Sequence, residues 1–220
     1  MSEIIKALEL LRSGKWVDLT HEVHNKIPKY GAFPDLVTKT PYTLEKDGFF
    51  VHEVSFITQY GTHIDAPVHF SKGKRSLEEL ELKEFILPLY VINKEKEVEE
   101  NNDFVLSAKD ILEFEEEHGK IEPKSFVAFA SGWSIEALDL LLNQRGVLGV
   151  GHETMDTDAS KDVQQKGFLY AEKFVLDANK FQVELLKNLT QLPAKGGVIF
   201  IGVPKFKGFP GFPVRCFAIV

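Results

Sequence analysis

Apolar positions along this chain follow two periods in turn, one near 3.6 and one near 2, which predicts a mixed α/β order. Residues 3–12 carry apolar side chains at helical spacing among Glu3, Lys6 and Glu9, and Gly14 stops the run. Short apolar runs predict strands at Trp16–Leu19, Val51–Ile57, Phe85–Ile92, Phe126–Ala130, Val147–Val150, Val198–Val203 and Val214–Val220. A helix is expected over 108–118, with Ser107 as N-cap and Gly119 just past its end. Another is expected over 135–144, capped by Ser134 and ended by Gly146. Gln182–Leu189 also reads as helical, and Leu77–Leu82 as a helical turn. Pro28, Gly31, Pro34 and Pro41 make residues 25–47 a long irregular region, expected to cover a site or a subunit contact. The charged run Lys94–Asn102 reads as a solvated turn.

Composition narrows the class. With 220 residues, 44% of them hydrophobic and 18 phenylalanines, the chain can bury one large core, so a single domain over 1–220 is expected. A net charge of -7 with no compensating basic cluster argues against nucleic acid as a partner. The lone cysteine, Cys216, excludes an intrachain disulfide, and its neighbours Phe217, Ala218 and Ile219 mark it as a small buried hydrophobe. There is neither a glycine-rich dinucleotide fingerprint nor a phosphate-binding loop. The N-terminal charges do not suit a signal peptide, and no apolar run approaches the roughly 18 residues of a membrane span. The expectation is a soluble cytoplasmic protein without a membrane partner.

Candidate chemistry is densest in Gln59-Tyr60-Gly61-Thr62-His63-Ile64-Asp65-Ala66-Pro67-Val68-His69-Phe70. Pro67 disfavours a helix, and in an extended backbone residues 63, 65 and 69 point the same way. Two imidazoles and a carboxylate on one face suit part of a metal site, or a metal site with a base beside it. Ordinary loop composition would carry the same residue types. A second cluster, His152-Glu153-Thr154-Met155-Asp156-Thr157-Asp158, leaves a strand where open α/β sheets place ligand contacts, although Asp and Thr also serve as caps and turns. Glu172 and Glu184 complete the acidic set. Glu184 lies between apolar neighbours, where burial would demand a partner, but an exposed helix face explains both residues equally well.

Together these segments resemble the cyclase family of metal-dependent hydrolases, whose members include kynurenine formamidase and isatin hydrolase. The family signature His-x-Gly-Thr-His-x-Asp-x-Pro-x-His is matched by Gln59–His69. The similarity extends to Asp18–His21, to Glu184–Pro193 and to Gly211–Arg215. It implies a swivelling β/β/α fold, with a mixed, barrel-like central sheet flanked by helices, in homodimers or homotetramers. It implies one or two divalent ions (Zn, Mn or Mg) and hydrolysis of an amide, formamide or lactam-type C–N bond in a small, often aromatic substrate. By position, His63, Asp65 and Glu184 match metal ligands, with Asp65 as the bridge if two ions bind, and His69 matches the proton-handling histidine.

Two positions depart from the pattern. Gln59 stands where the signature has its first histidine, and Glu172 stands about where a second ligand histidine is expected. As candidate ligands they make the site harder and more negative, which favours Mn²⁺, Mg²⁺ or a single Zn²⁺ over a zinc pair. The phrase Gly151–Asp158 resembles a variant branch that carries Gln and Glu at those positions, and Ser131–Ile135 runs into a helix where relatives insert a longer substrate loop. His21, His52 and His152 read as structural or supporting histidines. A lactonase or dehydratase using the same metal, or a non-catalytic metal or small-ligand binder, are the alternative readings. The aromatic segments Ile27–Phe33 and Phe206–Phe212 are expected to close the site or meet a second subunit, or else to fold over their own core.

Overall fold

The structure, a computed structural model, describes residues 2–220. The first half of the chain supplies helix α1 (Glu3–Ser13) and strands β1 (Trp16–Asp18), β2 (Val37–Tyr42), β3 (Val51–Ser55), β4 (His63–Asp65), β5 (Ile86–Ile92) and β6 (Val105–Leu106). Short helices α2 (Leu44–Asp47) and α3 (Glu95–Glu100) fall between them. The second half adds helix α4 (Ala108–His118), strands β7 (Phe126–Phe129) and β8 (Gly132–Trp133), helix α5 (Ile135–Asp139) and strand β9 (Gly149–His152). Helices α6 (Ser160–Lys166) and α7 (Tyr170–Asp177) follow, then β10 (Phe181–Glu184), β11 (Gly197–Gly202), β12 (Gly211–Pro213) and β13 (Arg215–Ile219).

Nine strands form one mixed sheet in the order β1-β13-β11-β5-β7-β9-β10-β4-β12. Its centre, β5-β7-β9-β10, is parallel, and both flanks are antiparallel. Side chains alternate between two cores, as the strand period requires. Leu89, Val91, Phe126 and Ala128 enter the core on one face with Ile64, Phe181 and Val183. Tyr90, Ile92, Val127, Phe129 and Val150 enter the other, under α4, α5 and α7. Gly149 and Gly151 leave room for the first core: a Cβ there would lie 2.5 Å from the Phe181 ring and 2.6 Å from the Phe126 ring. Such close packing is why two glycines bracket Val150 in a buried strand.

Several expectations are corrected. Gln182–Leu189 is not a helix: Phe181–Glu184 is a buried strand with Phe181 and Val183 on the core side, and it pairs with both β9 and β4. The strand ends because Leu185 adopts a left-handed φ of 51°. That conformation is held by the Thr154 carbonyl, which accepts from the Leu185 N–H, and by the Thr62 hydroxyl, which donates to the Leu185 carbonyl. The segment after Asp65 is not extended as far as His69: Pro67 opens a 3₁₀ turn over Pro67–His69. Residues 25–47 contain β2 and α2, and Lys94–Asn102 contains α3. Val51–Ser55 is a strand, but it pairs only with β2 in a hairpin whose strands are exposed throughout. His52 lies on that exposed hairpin, hydrogen-bonded to Thr40. Among the described residues, no helix is long and apolar enough to cross a membrane.

Candidate metal centre

The site is built first by strand pairing. β4 and β10 run antiparallel with His63 opposite Glu184 and Asp65 opposite Gln182. Directly opposed residues share a face, so these four polar side chains stand together while Ile64 and Val183 turn into the core. All four are buried. Gly61 reaches β4 with a φ of 63°, and a Cβ there would lie 2.2 Å from Ile27 Cδ1, so the turn needs glycine.

Hydrogen bonding sets the direction of the His63 ring. Its Nδ1 lies 2.8 Å from the Gly61 carbonyl, which can only accept, so Nδ1 carries the proton. The lone pair on Nε2 then faces Asp65 Oδ2 at 3.5 Å and Glu184 Oε2 at 3.4 Å. With Nε2 deprotonated, three acceptors converge there, which is a cradle for a cation in place of a proton. On the other side of Asp65, His69 Nε2 lies 3.9 Å from Asp65 Oδ1 and 3.7 Å from Glu172 Oε1. Candidate ligand atoms of His63, Asp65 and Glu184, and separately of Asp65, His69 and Glu172, lie within 4.8 Å of one another. Asp65 belongs to both groups, so the donor set fits one divalent ion or two.

Electrostatics point the same way. Burial, reinforced by repulsion from Asp65 and Asp156, pushes the Glu172 carboxyl well above its ordinary pKa, and burial with repulsion from Glu172 and Asp65 does the same to Glu184. Burial would raise Asp65 too, but the His63 ring, with His69 and the Gln182 amide, together outweighs it and holds Asp65 low. For the same pair, burial works against a charged His63, and the Asp65 carboxylate with the Gly61 carbonyl and Asp156 together shifts it upward. A site that holds three buried carboxyl groups in contact is one that a divalent cation would relieve.

Gln59 takes a different posture from a ligand. Its Nε2 donates to Asp65 Oδ1 at 3.2 Å, and its oxygen accepts from the Thr58 hydroxyl. The oxygen that a cation would need is thus turned away, and Gln59 serves Asp65 as a donor. Glu172 sits in the first turn of α7, whose Ala171 and Glu172 N–H groups are capped by Asp158. A cavity of about 300 Å³ opens over the cluster. His63, His69, Glu172 and Glu184 line its floor, and Tyr30, Phe33, Phe70, Val163 and Leu169 its apolar walls.

Residues 17–159 match the model of the family described as "Putative cyclase". The chain belongs to the cyclase family. It is an enzyme, and the relatives it matches along its length are hydrolases. The isatin hydrolase of Roseibium aggregatum is 27% identical over 240 aligned positions, covering 93% of this chain and 91% of that protein. The kynurenine formamidase of Bacillus cytotoxicus is 24% identical over 84 positions, covering 38% and 40%. Among solved structures, isatin hydrolase A from Labrenzia aggregata bound to benzyl benzoate superposes with a TM-score of 0.92 at 28% identity, over 100% of this chain and 99% of that one. The curled mixed sheet with flanking helices is therefore the fold of this family.

Within this cyclase, the expected residues His63, Asp65, His69, Glu172 and Glu184 come together, with Gln59 beside them. The cluster after β9 divides its work. Asp158 caps α7, Glu153 accepts from the Leu189 N–H, and Asp156 lines the cavity, its pKa raised by burial and then by Asp158. His152 is more than a supporting residue of the strand: it is fully buried, both ring nitrogens lack a partner, and Nε2 lies 3.5 Å from Glu184 Oε1. Burial keeps its imidazole neutral, with the pKa lowered to about 3. The loop around Ile27–Phe33 serves the site, with Lys29, Tyr30 and Phe33 on the cavity wall. Phe206, Phe209 and Phe212 stack on one another, and Phe212 meets Phe56, so that segment folds onto its own chain. Gln182 was not anticipated, and Thr157 was anticipated only as a member of the cluster after β9. The alternation Phe181-Gln182-Val183-Glu184, read as a strand, would have marked Gln182 as facing the same way as Glu184.

Proposed function

We propose that this cyclase-family enzyme hydrolyses an amide-type C–N bond, in a formamide or a lactam, of a small aromatic substrate. The observation that carries the reading is the cavity itself: an apolar, ring-lined wall over a floor of His63, Glu184, His69 and Glu172, whose ligand atoms gather around buried Asp65. Its volume of about 300 Å³ suits a one- or two-ring molecule. Similarity to isatin hydrolase, which takes its name from an aromatic lactam, supports the same bond class.

His63, Asp65 and Glu184 would hold a divalent ion, and the oxygen-rich set favours Mn²⁺ or Mg²⁺, or a single Zn²⁺. When bound, such an ion supplies the positive charge that acidifies water and polarises a carbonyl. His69 is the most open of the floor histidines, with 27% of its side chain exposed, so it can reach a water and a substrate at once. It takes a proton from the attacking water as the C–O bond forms and gives it to the leaving nitrogen as the C–N bond breaks. Glu172, within 3.7 Å of His69 Nε2, orients that ring. Phe70 packs edge-on against the His69 ring, and with Tyr30, Phe33 and Leu169 it keeps bulk water from the reacting bond.

The test is a substrate panel of isatin, N-formylated aromatic amines, simple aryl esters and lactones, run with metal-free enzyme and with added Mn²⁺, Mg²⁺ or Zn²⁺. Metal-dependent release of an aryl carboxylate or of formate is expected. Turnover confined to the esters and lactones would replace amide hydrolysis with a lactonase, and stoichiometric metal without any turnover would make the protein a binding module.

A further inference from the structure

We infer that Lys29 selects substrates that carry a carboxylate on the aromatic ring, away from the bond that breaks. The inference rests on the reading of the cavity as a site of amide hydrolysis. Lys29 lines that cavity beside Tyr30 and Phe33, and it is the one lysine or arginine among the lining residues. Its side chain is 16% exposed, so the ammonium belongs to the wall more than to open water. An ammonium offers three donors and no acceptor. Among the described residues, the one polar contact it makes is with Asp35 Oδ1 at 3.1 Å. Asp35 is 64% exposed, so it takes the ammonium from the solvent side and leaves donors free toward the cavity.

The loop does not need this ion pair to keep its shape. Ile27 is buried against the Gly61 turn, the Phe33 N–H donates to the Tyr30 carbonyl at 3.0 Å, and the Leu36 N–H donates to the Tyr60 hydroxyl at 3.2 Å. The Tyr30 and Phe33 rings meet edge-on at 5.2 Å. A salt bridge whose acid is so exposed adds little to such a set. A stem laid along the wall with its head in water is the ordinary use of a lysine, but it would leave the side chain far more open than this one. The cavity is also polarised. Asp156, Glu172 and Glu184 make the rest of its charge negative, so Lys29 is the place in it where an anionic group is drawn in. A ring that bears both a C–N bond and a carboxylate then has one favoured orientation, with the bond over the floor and the carboxylate at the ammonium. A charge-assisted hydrogen bond in a half-dry wall is the stronger kind. A neutral ring gains nothing there, because Lys29 simply stays with Asp35.

The experiment compares the ortho, meta and para formamidobenzoates with the matching formamidobenzamides, which have the same shape without the charge. Formate release by the Mn²⁺-loaded enzyme gives kcat and KM for each, and a thermal melt of each variant verifies the fold. For at least one ring position the carboxylate should be preferred in kcat/KM by roughly 10- to 100-fold, with the difference in KM. Lys29→Met keeps the stem and removes the charge, and should bring that ratio close to one. Asp35→Asn removes the competing acid and should raise the ratio. No preference for the carboxylate at any ring position would overturn the inference, as would a preference that Lys29→Met retains, since the carboxylate would then be held by the metal centre. A ratio that falls in Asp35→Asn would overturn it too. If none of the compounds releases formate, the amide reading fails, and the same pairs are read as ligands by calorimetry on the Mn²⁺-loaded protein. A carboxylate preference that Lys29→Met abolishes still establishes the role of Lys29, and equal affinities within each pair defeat it.

Discussion

Glu184→Gln separates what the fold needs from what a cation needs. Asp65, Glu172 and Glu184 are 0%, 3% and 5% exposed, so the metal-free protein holds three carboxyl groups in one dry cluster. Burial and the neighbouring carboxylates raise the Glu184 pKa. A carboxyl whose folded pKa lies above its unfolded value binds its proton more tightly when folded. Its contribution is then complete below the unfolded value, near 4.5, and is lost as pH rises through the folded one. Glutamine removes that loss, and it fits: its oxygen can accept from Gln182, and its amide can donate to His63 Nε2, which lies 3.4 Å from the present Oε2. The metal-free variant should therefore melt at or above the parent at pH 8, with the advantage shrinking toward pH 5. Taking the difference between variant and parent cancels the opposite pH dependence of buried His152. With metal the order reverses. An ion at about 100 times its Kd stabilises the parent by about 2.7 kcal/mol. At about 2–4 °C per kcal/mol for a chain of this size, that is a rise of roughly 5–11 °C. The variant, with one charged ligand oxygen gone, should show little of it. Circular dichroism melts at pH 5 and pH 8, with chelator and with Mn²⁺, read both effects. The reasoning fails if the variant keeps the full metal-dependent rise, or if the metal-free variant melts well below the parent at pH 8.

Three further outcomes are expected. Asp65→Ala should retain almost no metal after mild dialysis, measured by atomic absorption, because Asp65 is shared by both candidate ligand groups; occupancy equal to the parent would remove it from the site. His69→Ala should keep its metal and lose turnover by roughly 10²–10⁴-fold, the usual worth of a positioned proton-transfer group; joint loss of metal and activity would make His69 a ligand instead. The β2–β3 hairpin exposes Tyr42, Phe49, Phe50, Val51 and Val54, and α1 buries none of its residues, exposing Ile4 and Leu10, so a second copy is expected to cover these surfaces. Sedimentation at micromolar protein should give an oligomer that Phe50→Glu with Val54→Lys dissociates, and a monomeric parent would end that expectation.

The legible parts of the sequence were those where local pattern and tertiary environment agree. The apolar runs that became β5 and β7 feed the two cores in alternation, and their short length between breaks marks them as strands. The helix over 108–118 was legible because Ser107 and Gly119 are local signals, and Ser107 does cap it, with Asp110 answering in the reverse direction. Gln182–Leu189 misled because Val183, Leu185 and Leu186 spread apolar groups at both spacings, and only pairing with β4 and β9 selects the strand. Pro67 was read correctly as breaking a helix, yet a proline also opens a 3₁₀ turn, so His69 arrives by that turn and not by strand period. His152 was expected as a structural or supporting histidine, but nothing local marks it as fully buried and unpartnered, a property that exists only once Glu184 is brought beside it from a different strand. Gln182 was passed over because 182–189 reads as a helix, which hides that it shares a strand face with Glu184.

The centre divides into two halves that differ in how they are held, and the division argues for how the labour is shared. His63, Asp65, Gln182 and Glu184 project from paired strands in the interior of the sheet, where cross-strand register fixes their spacing and Leu185 ends β10 directly after Glu184. Rigid, dry and oxygen-rich, that half suits an ion that stays. His69 and Glu172 come instead from a 3₁₀ turn and from the first turn of α7, and both meet the sheet half at Asp65. His69 is also the more open group, with 27% of its side chain exposed against 4% for His63. A proton carrier must meet water and leaving group in succession, which a group locked between strands could not do.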